Sequence, residues 1–111
     1  MPNISEDCLV LNIWSPSDGN TSNTSLKAVM FSIYAGGYKA GSINIPFYNG
    51  SVLATYDVVI VSPNYRVGPF GFLYGADESA PGDVGLFDQL LALQWVSNDC
   101  NYSYFKKYIN L

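Results

Sequence analysis

The chain has 111 residues, 49% of them apolar, with 5 basic and 9 acidic side chains for a net charge of −4, two cysteines and no histidine. That length and apolar content fit one globular domain, the acidic balance disfavours nucleic acid, which is bound by Lys and Arg against phosphate, and no apolar run approaches the ~20 residues of a membrane span. Without histidine, this chain alone builds no Ser-His-Asp or Cys-His arrangement and no zinc site from two distant cysteines, so no metal and no cofactor is expected.

Taken in chain order, Cys8–Ser15 alternates around Leu9, Leu11 and Ile13, which predicts a strand. Ser17–Ser25 is rich in Asp, Gly, Asn, Thr and Ser and predicts a surface turn. Leu26–Tyr34 predicts a second, buried strand, and Ala35–Asn49 a glycine-containing loop. Ser51–Thr55 fits a single helical turn. Asp57–Tyr65 contains Val58-Val59-Ile60-Val61, a β-branched run that suits a strand covered on both faces. After a short loop, Asp83 is an N-cap candidate following Pro81-Gly82. From Val84 to about Asn98, the apolar residues Val84, Phe87, Leu90, Leu91 and Trp95 recur at helical spacing. Strand, loop, strand, helix begins an α/β layer architecture. No internal repeat is present.

Asn-x-Ser/Thr sequons stand at Asn3, Asn20, Asn23, Asn49 and Asn101. Each is a glycosylation candidate, and their density predicts passage through the secretory pathway. No charged start and apolar core of a signal peptide is visible after Met1, so Met1 is expected to be an internal or artificial start.

Three blocks carry a family resemblance. Asn64-Tyr65-Arg66-Val67-Gly68-Pro69-Phe70-Gly71-Phe72-Leu73 is followed by Ala80-Pro81-Gly82-Asp83-Val84-Gly85-Leu86-Phe87-Asp88-Gln89 and by Ala92-Leu93-Gln94-Trp95. Upstream stand Glu6-Asp7-Cys8-Leu9-Val10-Leu11-Asn12-Ile13-Trp14 and Ile33-Tyr34-Ala35-Gly36-Gly37-Tyr38. Tyr48-Asn49-Gly50 adds to the match. The chain resembles the type-B carboxylesterases, and within them the cholinesterases, over Ile4–Asn98. The resemblance implies the N-terminal strands, oxyanion loop and one helix of an α/β-hydrolase fold (1–98), followed by a divergent tail (99–111). It also implies a secreted or endoplasmic-reticulum-lumen parent acting on a small ester.

The same resemblance assigns Gly36 and Gly37 to an oxyanion hole. Backbone N–H groups there meet a tetrahedral oxyanion, and glycine permits close approach. Ala35 stands where the family usually has a further glycine, and its methyl is harmless only if φ is negative. Tyr38 and Lys39 fall at substrate-facing positions. A cation at Lys39, where cholinesterases tend to place an aromatic, argues against quaternary ammonium substrates. Arg66 and Asp88 correspond to a buried structural ion pair. Cys8 corresponds to a disulfide cysteine whose partner lies upstream of Met1; a Cys8–Cys100 bond is a weaker alternative. Glu6 matches a glutamate whose arginine partner also lies upstream. Trp14 and Trp95 read as core. Glu78-Ser79-Ala80 mimics the family's nucleophile turn, but Asp77 and Pro81 stand where that turn needs small residues.

The nucleophile, acid and histidine of the family all fall outside this sequence. Two readings of the parent follow: a serine carboxylic-ester hydrolase, or a non-catalytic cholinesterase-like adhesion protein of the neuroligin kind. Ala35 and Lys39 lean toward the second. A third, an independent small interaction protein, would leave sheet edges open.

Overall fold

A computed structural model of the chain describes residues 5–16, 27–99 and 105–106. Among these, the elements are strand β1 (Leu11–Trp14), strand β2 (Lys27–Phe31), a 3-10 turn (Pro46–Tyr48), helix α1 (Ser51–Ala54), strand β3 (Val58–Pro63), helices α2 (Gly68–Phe72) and α3 (Val84–Asp99), and strand β4 (Phe105–Lys106). The sheet order is β1-β3-β2-β4. β3 runs antiparallel to β1, with Leu11 opposite Pro63 and Trp14 opposite Ile60. It runs parallel to β2, with Ala28 opposite Val58 and Phe31 opposite Val61. β4 pairs parallel with the outer side of β2.

β3 is the centre because its β-branched run can be buried on both faces. On one face Val59 and Val61 pack with Val96 of α3, flanked by Leu11, Val29 and Phe31. On the other, Ile60 faces Trp14 and Gly50, where an added Cβ would lie 2.8 Å from the Trp14 ring and 2.9 Å from Ile60. Gly50 therefore lets α1 sit directly on the sheet.

Several sequence expectations need correction. β2 is not a fully buried strand: Met30 is 46% exposed, and only its Val29–Phe31 face packs on the core. α2 had no counterpart among the elements read from the sequence; Pro69 near its first turn, where no N–H partner is needed, supports it. α3 begins at Val84 as expected, yet it docks through a different face. Gly85, Asp88 and Val96 are buried, whereas Phe87, Leu90, Leu91 and Trp95 stay exposed. Small residues set the approach: a Cβ on Gly85 would come 2.4 Å from the Arg66 carbonyl oxygen. The surface turn expected at Ser17–Ser25 lies outside the described residues.

Candidate functional site

Because β2 and β3 are parallel, their carboxyl ends lie together, and the segments leaving them meet at one end of the sheet. Crevices in open α/β sheets form at such ends. A cleft of about 730 Å³ opens there, with Glu6, Tyr34, Gly41, Asn64, Tyr65 and Arg66 in its lining.

The segment leaving β2 carries the glycine loop. Gly36 has φ +158°, and a Cβ there would stand 1.8 Å from the Ala40 carbonyl oxygen, so only glycine closes the turn. Gly37 (φ +60°) and Tyr38 (φ +62°) are both left-handed, an uncommon conformation for a tyrosine. Three contacts hold it. The Lys39 N–H donates to the Gly36 carbonyl at 3.1 Å, the Gly68 N–H at the head of α2 donates to the Tyr38 carbonyl at 2.6 Å, and the Tyr38 ring lies 4.9 Å from that of Phe72. Ala35 is not among the residues at positive φ, so its methyl is unstrained. Gly36 and Gly37 are exposed, and neither N–H donates to any described residue. Two adjacent backbone donors thus stand open on a loop that only glycine can form.

Beneath the loop, Tyr34 and Tyr65 are buried and stacked, with ring centroids 4.4 Å apart. The Tyr34 hydroxyl donates to the Tyr65 carbonyl at 2.7 Å, and the Tyr65 hydroxyl donates to the Tyr34 carbonyl at 3.1 Å. Burial pushes both phenols above the ordinary tyrosine range, so both remain donors. Gly41 closes on the Tyr34 ring, which an added Cβ would meet at 2.4 Å. Asn64 links the N-terminal segment to the loop region: its side-chain amide donates to the Cys8 carbonyl, and its oxygen accepts from the Ile43 N–H, each at 3.1 Å. The sequence held no periodic signal for either arrangement.

Arg66 and Asp88 are in contact. Arg66 Nε donates to Asp88 Oδ2 at 2.8 Å and Nη2 to Oδ1 at 2.7 Å, and the Arg66 main-chain N–H adds a bond to Oδ2 at 3.0 Å. The expectation that both partners are buried holds for the carboxylate alone: side-chain exposure is 4% for Asp88 and 39% for Arg66. Burial raises the Asp88 carboxyl, but the hydrogen bonds from Arg66 outweigh it and the net shift is downward. The Arg66 guanidinium is raised in turn by its bonds to Asp88.

The remaining candidates lie apart. Lys39 is exposed, with no side-chain partner among the described residues. Ser79 sits in the exposed turn before α3, where both its N–H and its hydroxyl bond to the Asp77 carboxylate. That is a turn, not a strand-to-helix elbow. Glu6 is exposed, and Cys8 is half-buried and free; Cys100 lies outside the described residues. Asn49 is exposed, and its side-chain oxygen accepts from the Ser51 N–H at 2.9 Å. Asn3, Asn20, Asn23 and Asn101 lie outside the described residues. Among the described residues no cluster of three or more His, Cys, Asp or Glu side chains could hold a metal ion, and no helix is long and apolar enough to cross a membrane.

The sequence matches the profile of the Carboxylesterase family over residues 1–102. It is 49% identical over 98 residues to acetylcholinesterase-1 of Trittame loki, covering 87% of this chain and 18% of that protein. It is 52% identical over 97 residues to cholinesterase 1 of Branchiostoma lanceolatum, covering 86% of this chain and 26% of that protein. It is 48% identical over 99 residues to the cholinesterase of Mus musculus, covering 87% of this chain and 16% of that protein. The chain thus spans about a fifth of the length of these relatives.

Proposed function

The chain belongs to the carboxylesterase family, and from that premise we propose that it supplies the oxyanion loop and adjoining scaffold of a serine carboxylic-ester hydrolase. One observation carries the reading: the N–H groups of Gly36 and Gly37, open and without a partner among the described residues, at the carboxyl end of the central strands.

Attack of a serine on an ester carbonyl turns the carbonyl oxygen into an oxyanion. Two fixed N–H donors stabilise that charge without reorganising, and each such donor is worth about 2.7–4 kcal/mol in the transition state. In this reading the serine, the histidine base and the acid come from sequence beyond these 111 residues. Residues 1–98 are then part of one catalytic domain and 99–111 a divergent tail. Tyr38 and Lys39 border the loop, and the Lys39 cation disfavours a choline ester relative to a neutral one. The sequons, with Asn49 exposed, support a secreted glycoprotein. The adhesion reading loses part of its support, because Ala35 sits where a methyl costs nothing. The relatives named above are esterases by name.

The test is a chimera in which Ile4–Asn98 replaces the matching segment of the Mus musculus cholinesterase. The expected result is hydrolysis of p-nitrophenyl acetate, with acetylthiocholine disfavoured relative to the unmodified mouse enzyme. A chimera that folds but hydrolyses neither ester overturns the proposal.

A further inference from the structure

We propose that Tyr48 and Tyr65 are positioning residues for the Gly36 and Gly37 donors, because their hydroxyls hold both polar atoms of one peptide unit immediately ahead of the loop. The inference rests on the oxyanion reading above. The unit is the one joining Tyr34 to Ala35. Its carbonyl accepts from the Tyr65 hydroxyl at 3.1 Å, and its N–H donates to the Tyr48 hydroxyl at 3.1 Å. In a planar trans peptide these two atoms point in opposite directions. The unit is therefore gripped from both sides and cannot rotate without breaking two bonds.

Its orientation decides where the next peptide unit points. That next unit contains the Ala35 carbonyl and the Gly36 N–H. The Tyr48 hydroxyl, having accepted from the Ala35 N–H, donates its own proton to the Ala35 carbonyl at 3.4 Å. With that carbonyl turned toward Tyr48, planarity directs the Gly36 N–H away from Tyr48. The loop needs such an anchor, since two consecutive glycines readily exchange between positive and negative φ.

Both rings are seated independently of these hydroxyl bonds. Tyr65 stacks on Tyr34 and accepts the Tyr34 hydroxyl on its own carbonyl. Tyr48 packs against the cluster of Tyr34, Ile43 and Tyr65. Replacement of either tyrosine by phenylalanine removes that residue's hydroxyl bonds to the loop entrance and leaves the packing.

The experiment uses the chimera with Tyr48→Phe, Tyr65→Phe and both together. Each single variant keeps one side of the grip: Tyr65→Phe removes one bond and is expected to lose about 5-fold in kcat, and Tyr48→Phe, which removes two, is expected to lose more than Tyr65→Phe. The double variant frees the peptide unit and is expected to lose about 10²-fold, the effect of removing one oxyanion donor. KM is expected to stay unchanged, because the donors act on charge present only in the transition state. Affinity for a trifluoromethyl ketone that mimics the tetrahedral adduct should fall in parallel with kcat, and the melting temperature should fall little. A double variant with the kcat of the parent chimera, or one whose loss lies wholly in KM, overturns the inference. If the unsubstituted chimera folds without hydrolysing either ester, the esterase reading fails instead. The clamp is then decided by exchange of the Ala35 amide proton: faster exchange in the double variant supports it, and unchanged exchange overturns it.

Discussion

The Arg66 guanidinium meets the Asp88 carboxylate in a two-point contact of 2.8 and 2.7 Å, and the Arg66 backbone N–H makes a third bond to the same carboxylate. One aspartate on α3 thus fixes both the side chain and the main chain of the residue leaving β3. Two helices close on that junction. An added Cβ on Gly71 of α2 would come 2.1 Å from the Arg66 carbonyl oxygen, and one on Gly85 of α3 would come 2.4 Å from it. The charge pair and the glycines fix where β3, α2 and α3 meet, directly below the loop that presents Gly36 and Gly37.

The unequal burial of the pair predicts unequal mutant costs. Arg66→Met leaves a buried carboxylate with only the Arg66 position's backbone N–H as donor, and breaking a buried pair in this way costs about 3–5 kcal/mol. Asp88→Asn leaves an arginine that already reaches solvent, so its cost is expected to be the smaller of the two. Urea unfolding of the chimera measures both. Equal losses would show that the exposure of Arg66 does not relieve its charge.

The same pair predicts acid lability. Asp88 titrates lower in the fold than the usual carboxylate value of about 3.9. Between those two values the unfolded chain binds more protons than the folded one, so stability rises with pH across that window. The contribution of Asp88 is complete above about pH 4 and is lost as pH falls through its folded value. Melting temperatures of the chimera between pH 5 and pH 2 should show this fall, and Asp88→Asn should flatten it. A variant with an unchanged acid slope would place the lability elsewhere.

What could be read from the residues followed from how local each signal was. The β3 run Val58–Val61 declared a doubly covered strand, because β-branched continuity has few other uses. The face of α3 was not legible. The helix is apolar on several sides, and the largest residues, Phe87, Leu90, Leu91 and Trp95, suggested the wrong one. The docking face is set by Gly85 and Asp88, small or charged residues that a search for apolar periodicity passes over. Gly36 and Gly37 stood out through the motif, whereas the tyrosine clamp did not. Ala35 meets Tyr48, and Tyr34 meets Tyr65, only through chain reversals of 13 and 31 residues, which leave no pattern in sequence.

The two loop glycines should respond differently to alanine. At Gly36 the new Cβ would stand 1.8 Å from a carbonyl oxygen, so the turn must open. Gly36→Ala in the chimera is expected to lower kcat by at least about 10²-fold, the effect of a lost oxyanion donor. At Gly37 no atom lies within 4 Å of the added Cβ, and the penalty comes from φ +60° alone. Gly37→Ala is expected to cost about 1 kcal/mol of stability, with a smaller loss in kcat than Gly36→Ala. The rates of p-nitrophenyl acetate hydrolysis check the order, and a reversed order would contradict the loop geometry.

Expressed alone, the chain is expected to hydrolyse no ester, having no histidine, and to associate rather than remain monomeric. On α3, Phe87 is 56%, Leu90 48%, Leu91 58% and Trp95 44% exposed, and on the sheet Ile13 and Met30 are nearly half exposed. Ile13 sits in register with Val61 and Met30 with Ile60, so they lie on opposite faces of the sheet, and apolar surface of this extent marks faces made to be covered. β1 is an edge strand of the described sheet, with backbone groups free to pair with another chain. Size-exclusion chromatography should show oligomers or aggregate, and heating should give a broad transition. Phe87→Glu with Leu91→Lys separates this cause from general instability. In the isolated chain the pair of substitutions removes exposed apolar area and should shift the protein toward monomer. In the chimera the same positions are expected to be covered, and each substitution should cost on the order of the 1.5–3 kcal/mol that a buried large apolar side chain contributes. Substitutions that help the isolated chain and harm the chimera identify this face as the one that docks against the rest of the domain. A monodisperse 111-residue monomer with a sharp cooperative transition would show instead that the chain stands by itself, which favours the independent-protein reading.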